Sequence, residues 1–240
     1  MATDFANKST VAEIRARFDN DVERFANLDT GQQSTLDAPL TLELITSAAQ
    51  SVNPTATSLL DLGCGAGNYT LKMLRKVPNQ DCTLVDLSLP MLQKAQERVA
   101  AETTGKVQII QADMRELELV PEQFDIILAG AVLHHLRDEA DWELVFSKLY
   151  QALKPGGSFW ISDLVSHGVE EVNGMFRSKY GDYLESVGGA AYREHVLAYI
   201  EKEDSPRPVS YQLELMKKVG FTRTEVLHKN LCFAAFGGVK

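Results

Sequence analysis

Asp61, followed by glycines at 63, 65 and 67, is where residue types and spacing in this 240-residue sequence first point to chemistry. The run Leu59-Leu60-Asp61-Leu62-Gly63-Cys64-Gly65-Ala66-Gly67-Asn68 reads as a short apolar strand entering a glycine turn that opens a helix. Such a turn brings main-chain N–H groups close to a small ligand with no Cβ in the way, and the positive end of the helix faces that ligand. Dinucleotide sites place their third glycine three residues after the second, where this chain has Asn68, so a dinucleotide is disfavoured. An acid two residues before the first glycine would repel a pyrophosphate and attract an ammonium or sulfonium. Cys64 inside the turn reads as a small residue chosen for fit rather than a reactive thiol.

The elements that must hold this turn alternate between strand-like and helix-like patterns, the signature of an α/β parallel sheet wound on both faces by helices. Strands are predicted at Ser58 to Asp61, Asp81 to Asp86, Lys106 to Gln111 and Phe124 to Gly130, with helices at Gly67 to Lys76 and Leu89 to Ala101. A helix over Asp138 to Leu153 carries Trp142, Val145, Phe146, Leu149 and Leu153 at helical spacing. Lys154-Pro155-Gly156-Gly157 stops it before a fifth strand, Ser158 to Leu164. From Val165 to Pro208 the periodicity is lost over a stretch too long for a plain loop, which predicts a helical cap. Val209 to Val219 is a further helix ended by Gly220. Strands Phe221 to Leu227 and Asn230 to Phe236 then form a hairpin with His228-Lys229 as its turn. Ahead of the sheet, Val11, Ile14, Phe18, Val22 and Phe25 mark a helical pattern over Val11 to Leu28, and a second runs from Leu36 to Ala49. With no flexible linker between these parts, the chain reads as one domain. Its expected parts are a helical extension over 1–57, a ligand-binding core over 58–164, a cap over 165–208, and a final helix and hairpin over 209–240.

A formal net charge of −9 argues against a broad nucleic-acid surface, and 45% hydrophobic residues can fill a large core. No stretch approaches the ~20 apolar residues of a membrane span, and the first residues lack a signal-peptide pattern. Cys64, Cys82 and Cys232 are far apart, which fits a reducing compartment and offers neither a disulfide framework nor a cysteine metal site. The expectation is a cytoplasmic enzyme whose partner is a small-molecule acceptor, with neither nucleic acid nor membrane; a homodimer is left open.

Leu-Asp-Leu-Gly-Cys-Gly-Ala-Gly-Asn at 60–68, Val-Asp-Leu-Ser at 85–88, Gln-Ala-Asp-Met at 111–114 and Leu-Lys-Pro-Gly-Gly at 153–157 together resemble the core of the class I S-adenosylmethionine-dependent methyltransferases. The resemblance covers residues 55–165 and the final hairpin. It implies a Rossmann-like seven-stranded doubly wound sheet of order 3-2-1-4-5-7-6, with the last strand antiparallel. It also implies S-adenosylmethionine as cofactor, with S-adenosylhomocysteine as product. On this reading Asp61 partners the ammonium, directly or through water, while Gly63, Cys64 and Gly65 bring backbone against the methionine part. Asp86, 19 residues beyond Gly67, accepts from the ribose hydroxyls, and Leu87 lies on the adenine face. Asp113 accepts from the adenine amino group, with the Met114 N–H on a ring nitrogen. Small Ala129 and Gly130 leave room beside the sulfonium.

Catalytic residues are less legible. His134 could act as general base toward an acceptor hydroxyl, and Arg193 in the cap could hold an anionic acceptor, with Asp163, His167 and Tyr180 as further lining. No metal is expected, because adjacent His134 and His135 on a helix would point apart and no acid near them in sequence completes a set. Ala129-Gly130-Ala131-Val132 stands where members of this class that methylate adenine or glutamine amino groups carry Asn/Asp-Pro-Pro-Tyr/Phe, which disfavours exocyclic amine methylation, and the chain has no Pro-Cys pair of the kind used to attack a pyrimidine ring; the expected acceptor atom is oxygen or carbon. Leu149 to Gly157 and Leu215 to Phe221 also resemble carboxy-S-adenosylmethionine synthase, which serves tRNA wobble-uridine modification. That resemblance would give Arg193 the cofactor's carboxylate. A non-catalytic module that only binds an S-adenosyl nucleoside is the third expectation.

Overall fold

The computed structural model describes residues 5–27 and 31–240. Seven strands, β1 (Ser58–Leu62), β2 (Asp81–Asp86), β3 (Val107–Gln111), β4 (Phe124–Gly130), β5 (Leu153–Leu164), β6 (Arg223–Asn230) and β7 (Phe233–Val239), form one sheet in the order β3-β2-β1-β4-β5-β7-β6. Strands β1 to β5 run parallel, and β7 is antiparallel to both of its neighbours. The expected order and the antiparallel last strand are therefore observed.

Parallel central strands must be apolar on both faces, and β1 and β4 show how one sequence serves two cores. Leu59, Ile126 and Leu128 point to one face, where they meet α3 (Ala38–Val52), α4 (Asn68–Lys76) and α5 (Leu89–Ala100) through Ile45, Met73, Leu92 and Val99. Leu60, Leu62, Ile127 and Ala129 point to the other, against α6 (Glu139–Ala152) and α8 (Val209–Val219), through Trp142, Phe146, Leu149 and Met216. The strand period of two thus assigns every second residue to a different helix layer. Leu62 pairs with both Val85 and Ala129, which brings the carboxyl ends of β1, β2 and β4 level and opens the crevice where this sheet class takes its ligand.

The N-terminal pattern over Val11 to Leu28 is two helices rather than one: α1 (Val11–Asp19) and α2 (Val22–Ala26). Leu28 lies outside the described residues. Thr10 and Glu13 form a reciprocal cap at the start of α1, and the Asn20 amide folds back on the Ala16 carbonyl at its end. The cap stretch is the long helical segment α7 (Glu170–Glu203), broken at Gly189, whose φ of 81° and ψ of 177° are not helical. Tyr180 and Tyr183 donate hydroxyl hydrogen bonds to the carbonyls of Ser34 and Gln33, tying α7 to the segment before α3.

The hairpin turn is shifted from its expected place. His228 and Lys229 lie inside β6, and the reversal is at Leu231-Cys232, with Leu231 at φ 48°. Tertiary contacts set this register: His228 Nε2 and Asn230 Nδ2 both reach Asp37 Oδ2 at 2.8 Å. β5 also begins earlier than expected, at Leu153. The Lys-Pro-Gly-Gly run does end α6, and it then forms an irregular start of the strand with a register shift opposite Phe124 and Ile126.

Candidate active site

A cavity of about 460 Å³ lies at the carboxyl ends of β1, β2 and β4 and extends under α1, α2 and α7. That is within the range of small-molecule sites, roughly 300 to 1,000 Å³. One end is walled by the glycine turn, and the other by His134, Asp163, Tyr199 and Asp204.

At the first end all three turn glycines have left-handed φ, 67°, 50° and 83° at Gly63, Gly65 and Gly67. A Cβ on Gly63 would lie 2.3 Å from Val132 Cγ2, whereas one on Gly65 would meet nothing within 4 Å, so Gly65 is the residue that opens onto the ligand space. The backbone N–H groups here are largely spent on the protein: Cys64 donates to Val85 O, Gly65 to Asp86 Oδ2 and Gly67 to Cys64 O. The turn supplies close approach more than free donors. Burial pushes the Cys64 thiol far above its ordinary pKa, which suits a packing residue.

The three acids differ in what they can offer. Asp61 is buried behind the turn and does not line the cavity. Its Oδ2 accepts from Thr70 Oγ1 at 2.6 Å and Thr70 N at 3.2 Å, in the first turn of α4. This corrects the reading of Asp61 as a direct ammonium partner, because strand alternation turns its side chain toward α4. Burial raises its pKa to about 7, and its Oδ1 has no partner. Asp86 does line the cavity, bracing it with Oδ2 on Gly65 N and Oδ1 on Ser88 N, at 2.8 and 2.9 Å. Burial raises its pKa against the pull of these N–H groups. Ser88 caps α5 through Met91 N. Asp113 lines the cavity with both oxygens held by Arg115, at 2.9 and 2.5 Å. Its pKa is lowered: burial opposes this, but the Arg115 guanidinium and N–H outweigh it. Leu87 and Met114 also line the cavity.

The reading of Ala129 and Gly130 as open space needs correction. Ala129 is fully buried in the sheet and off the cavity wall. Gly130 does line it, but a Cβ there would meet the Tyr69 ring at 2.4 Å, so the gap left by glycine is filled by an aromatic side chain. Sequence could not show this, since Tyr69 comes from α4.

Past Gly130 the chain turns sharply at Ala131, whose φ of 53° is costly for a residue with a Cβ, by about 1 to 3 kcal/mol. Its N–H donates to Ser162 O, and a 3₁₀ turn, Leu133–His135, follows. This strained corner aims His134 and His135 into the far end of the cavity. His134 Nδ1 bonds Asp163 Oδ1, and its Nε2 lies 3.7 Å from Asp204 Oδ1. Burial pulls the His134 pKa down, but Asp163 and Asp204 outweigh it and bring it up to about 9. Its Nδ1 is committed to Asp163, so Nε2 is the ring atom left to meet a ligand. His135, buried beside it, has its pKa driven well below the ordinary value, and Asp204 is raised by burial to about 6.

Contrary to the expectation that the two histidines point apart, their rings approach to 4.4 Å between centroids, because a 3₁₀ turn separates neighbours differently from an α-helix. The acid that completes the group is Asp204, some 70 residues along the chain at the end of α7. Only the fold brings it here. The sequence offers no spacing that would have found it, nor Phe18 and Tyr199, which line the same chamber. Tyr180 also lines it, whereas His167 faces a separate pocket with its Nε2 3.0 Å from Lys229 Nζ. Arg193 is not on the cavity wall in this structure: it reaches back across the Gly189 break in α7 to Asp182 at 3.4 Å and Glu185 at 2.9 Å.

A glycine turn after the first strand of a 3-2-1-4-5-7-6 sheet, with acids at three successive strand ends, defines the class, and residues 59–157 match the model of a methyltransferase domain. Residues 59–157 are therefore those of a methyltransferase domain. Among curated proteins the chain is similar to carboxy-S-adenosyl-L-methionine synthase of Vibrio atlanticus, 24% identical over 188 residues, spanning 77% of this chain and 76% of that protein. It is also similar to malonyl-[acyl-carrier protein] O-methyltransferase of Priestia megaterium, 26% identical over 182 residues, 75% of this chain and 62% of that one. Its fold is shared with the 1,6-didemethyltoxoflavin-N1-methyltransferase of Burkholderia thailandensis, at TM-score 0.64 and 17% identity, over 95% of this chain and 88% of that one. The chain spans 55% to 66% of the length of several other solved structures with this fold. Among the described residues no helix is long and apolar enough to cross a membrane.

Proposed function

We propose that this chain transfers the methyl group of S-adenosylmethionine to an oxygen or carbon atom of a small-molecule acceptor. The supporting observation is the single cavity of about 460 Å³ that runs from the glycine turn to a chamber lined by Phe18, Tyr180, Tyr199 and Phe233 with one polar end. In this reading Asp86 takes the ribose, Asp113 the adenine amino group, and Gly65 the close approach of the methionine part. Asp61 acts from behind the turn. Bound there, S-adenosylmethionine would supply an electrophilic methyl group on sulfur, and the chamber would hold the acceptor oxygen or carbon in line with it. Catalysis is then mainly alignment in a chamber that α1, α2 and α7 shield from water.

The second reading, a carboxy-S-adenosylmethionine synthase, is favoured by the Vibrio relative and opposed by the ion pairs that hold Arg193 outside the cavity. The deciding experiment incubates the purified chain with methyl-labelled S-adenosylmethionine and a metabolite extract. Label in a small molecule supports methyl transfer. Label only in RNA or protein, or a carboxylated sulfonium co-purifying with the chain, overturns it. Calorimetry with S-adenosylmethionine tests the cofactor assignments separately.

A further inference from the structure

We propose that His134 Nε2, His135 Nδ1 and Asp204 Oδ1 bind one divalent transition-metal ion at the acceptor end of the cavity. One ligand atom from each of the three residues lies within 4.8 Å of the other two, and Asp204 Oδ1 is 3.7 Å from His134 Nε2 and 3.3 Å from His135 Nδ1. Ligand bonds of about 2.0 to 2.1 Å in a tetrahedral site put neighbouring donors about 3.4 Å apart, so small side-chain adjustments complete the geometry.

Two further observations point to a ligand. Asp204 Oδ1 and His135 Nδ1 are both buried without a hydrogen-bond partner, and Asp204 is only 5% exposed. They face each other at 3.3 Å without forming a hydrogen bond, which is costly for buried polar atoms, and a cation between them satisfies both. The second observation is the support around His134. Asp163 accepts from its Nδ1–H, which fixes the tautomer and leaves the Nε2 lone pair facing Asp204, while Asp163 is itself held by the backbone N–H groups of His134 and Leu164. A carboxylate behind a ligating histidine is the usual support of such sites. Nearby Arg17 is neutralised by Glu203, with Nη2 2.5 Å from Oε2.

Two imidazoles and one carboxylate select Zn²⁺, Co²⁺ or Fe²⁺ over Mg²⁺ or Ca²⁺, which prefer oxygen donors. All three residues line the cavity, so the remaining coordination positions open onto the acceptor chamber, where the ion would anchor an acceptor hydroxyl or carboxylate oxygen. That role rests on the methyl-transfer reading; the binding of the ion does not.

The test uses the full chain stripped with a chelator, then titrated with ZnCl₂ by calorimetry and with CoCl₂ by visible absorption. One equivalent of each is expected, with Co²⁺ giving the intense visible bands of a low-coordinate nitrogen and oxygen site. His135→Gln and Asp204→Asn should each weaken zinc binding at least about 100-fold, and Asp163→Asn about 10-fold. In the unaltered chain, zinc should shift the imidazole resonances of His134 and His135 and leave those of His167, His195 and His228, a readout that no folding defect can confound. MgCl₂ should shift none of them. No stoichiometric zinc binding, or binding that leaves the His134 and His135 signals in place, overturns the proposal. Zinc binding without S-adenosylmethionine binding would sink the functional reading and leave the metal site standing; the reverse result would do the opposite.

Discussion

The two ends of the cavity are built on opposite plans. At the glycine turn, polar groups are settled by near neighbours: Asp86 on Gly65 and Ser88, and Asp113 on Arg115. At the far end, His134, Asp163 and Asp204 come from three separated segments, and two of the buried polar atoms have no partner. The first end is a rigid mould for one fixed ligand. The second keeps polar atoms in reserve, which suits the acceptor role proposed for it.

Four perturbations test whether that division holds, beginning with the largest expected effect. Asp61 belongs to the mould but breaks its rule, since its Oδ1 is buried and unpaired. Its folded pKa of about 7 lies above the unfolded value, so the native state holds more protons between about pH 4 and pH 7, and stability falls as pH rises through that window. Compared with Asp61→Asn, the native chain should lose up to about 4 kcal/mol of unfolding free energy across the window, read from urea midpoints at several pH values. Parallel pH curves for the two proteins would remove Asp61 from the account.

Gly63→Ala forces a Cβ to 2.3 Å from Val132 Cγ2 at a φ of 67°. A loss of about 3 kcal/mol in urea unfolding is expected, combining left-handed strain with overpacking. Adding Val132→Ala should recover the packing part alone. Full recovery would mean that backbone strain contributes nothing.

Asp86→Ala removes the brace on Gly65 along with the proposed ribose acceptor, and calorimetry should show S-adenosylmethionine affinity reduced about 100-fold, since hydrogen bonds to a charged group are worth about 1.5 to 3 kcal/mol. A change below threefold would dissolve the proposed distinction between the two ends. Arg193→Ala has the smallest expected effect. An exposed ion-pair residue away from the cavity should leave cofactor affinity unchanged and stability within about 1 kcal/mol. Loss of product formation in this variant would return the cap arginine to the site and revive the synthase reading.

The same division explains which parts were legible beforehand. The sheet order, the turn, Asp86, Leu87 and Met114 follow from short motifs, because a strand end, a glycine turn and a helix start are neighbours in sequence as well as in space. Errors arose where a side chain's direction mattered. Asp61 is on the expected strand, but alternation turns it to Thr70; Gly130 is at the expected strand end, but Tyr69 fills its gap. The hairpin turn was misplaced because Asp37, nearly two hundred residues upstream, fixes the register of β6 through His228 and Asn230.

By itself, the sequence determined that this chain would build a parallel sheet with a glycine turn after its first strand. Apolar runs of strand length and left-handed glycine positions are local requirements that few other structures satisfy. Only the tertiary structure decided what stands at the other end. Ala131's strained corner and the end of α7 bring His134, His135 and Asp204 together, and a contact between residues some 70 positions apart leaves no periodicity in the chain to read.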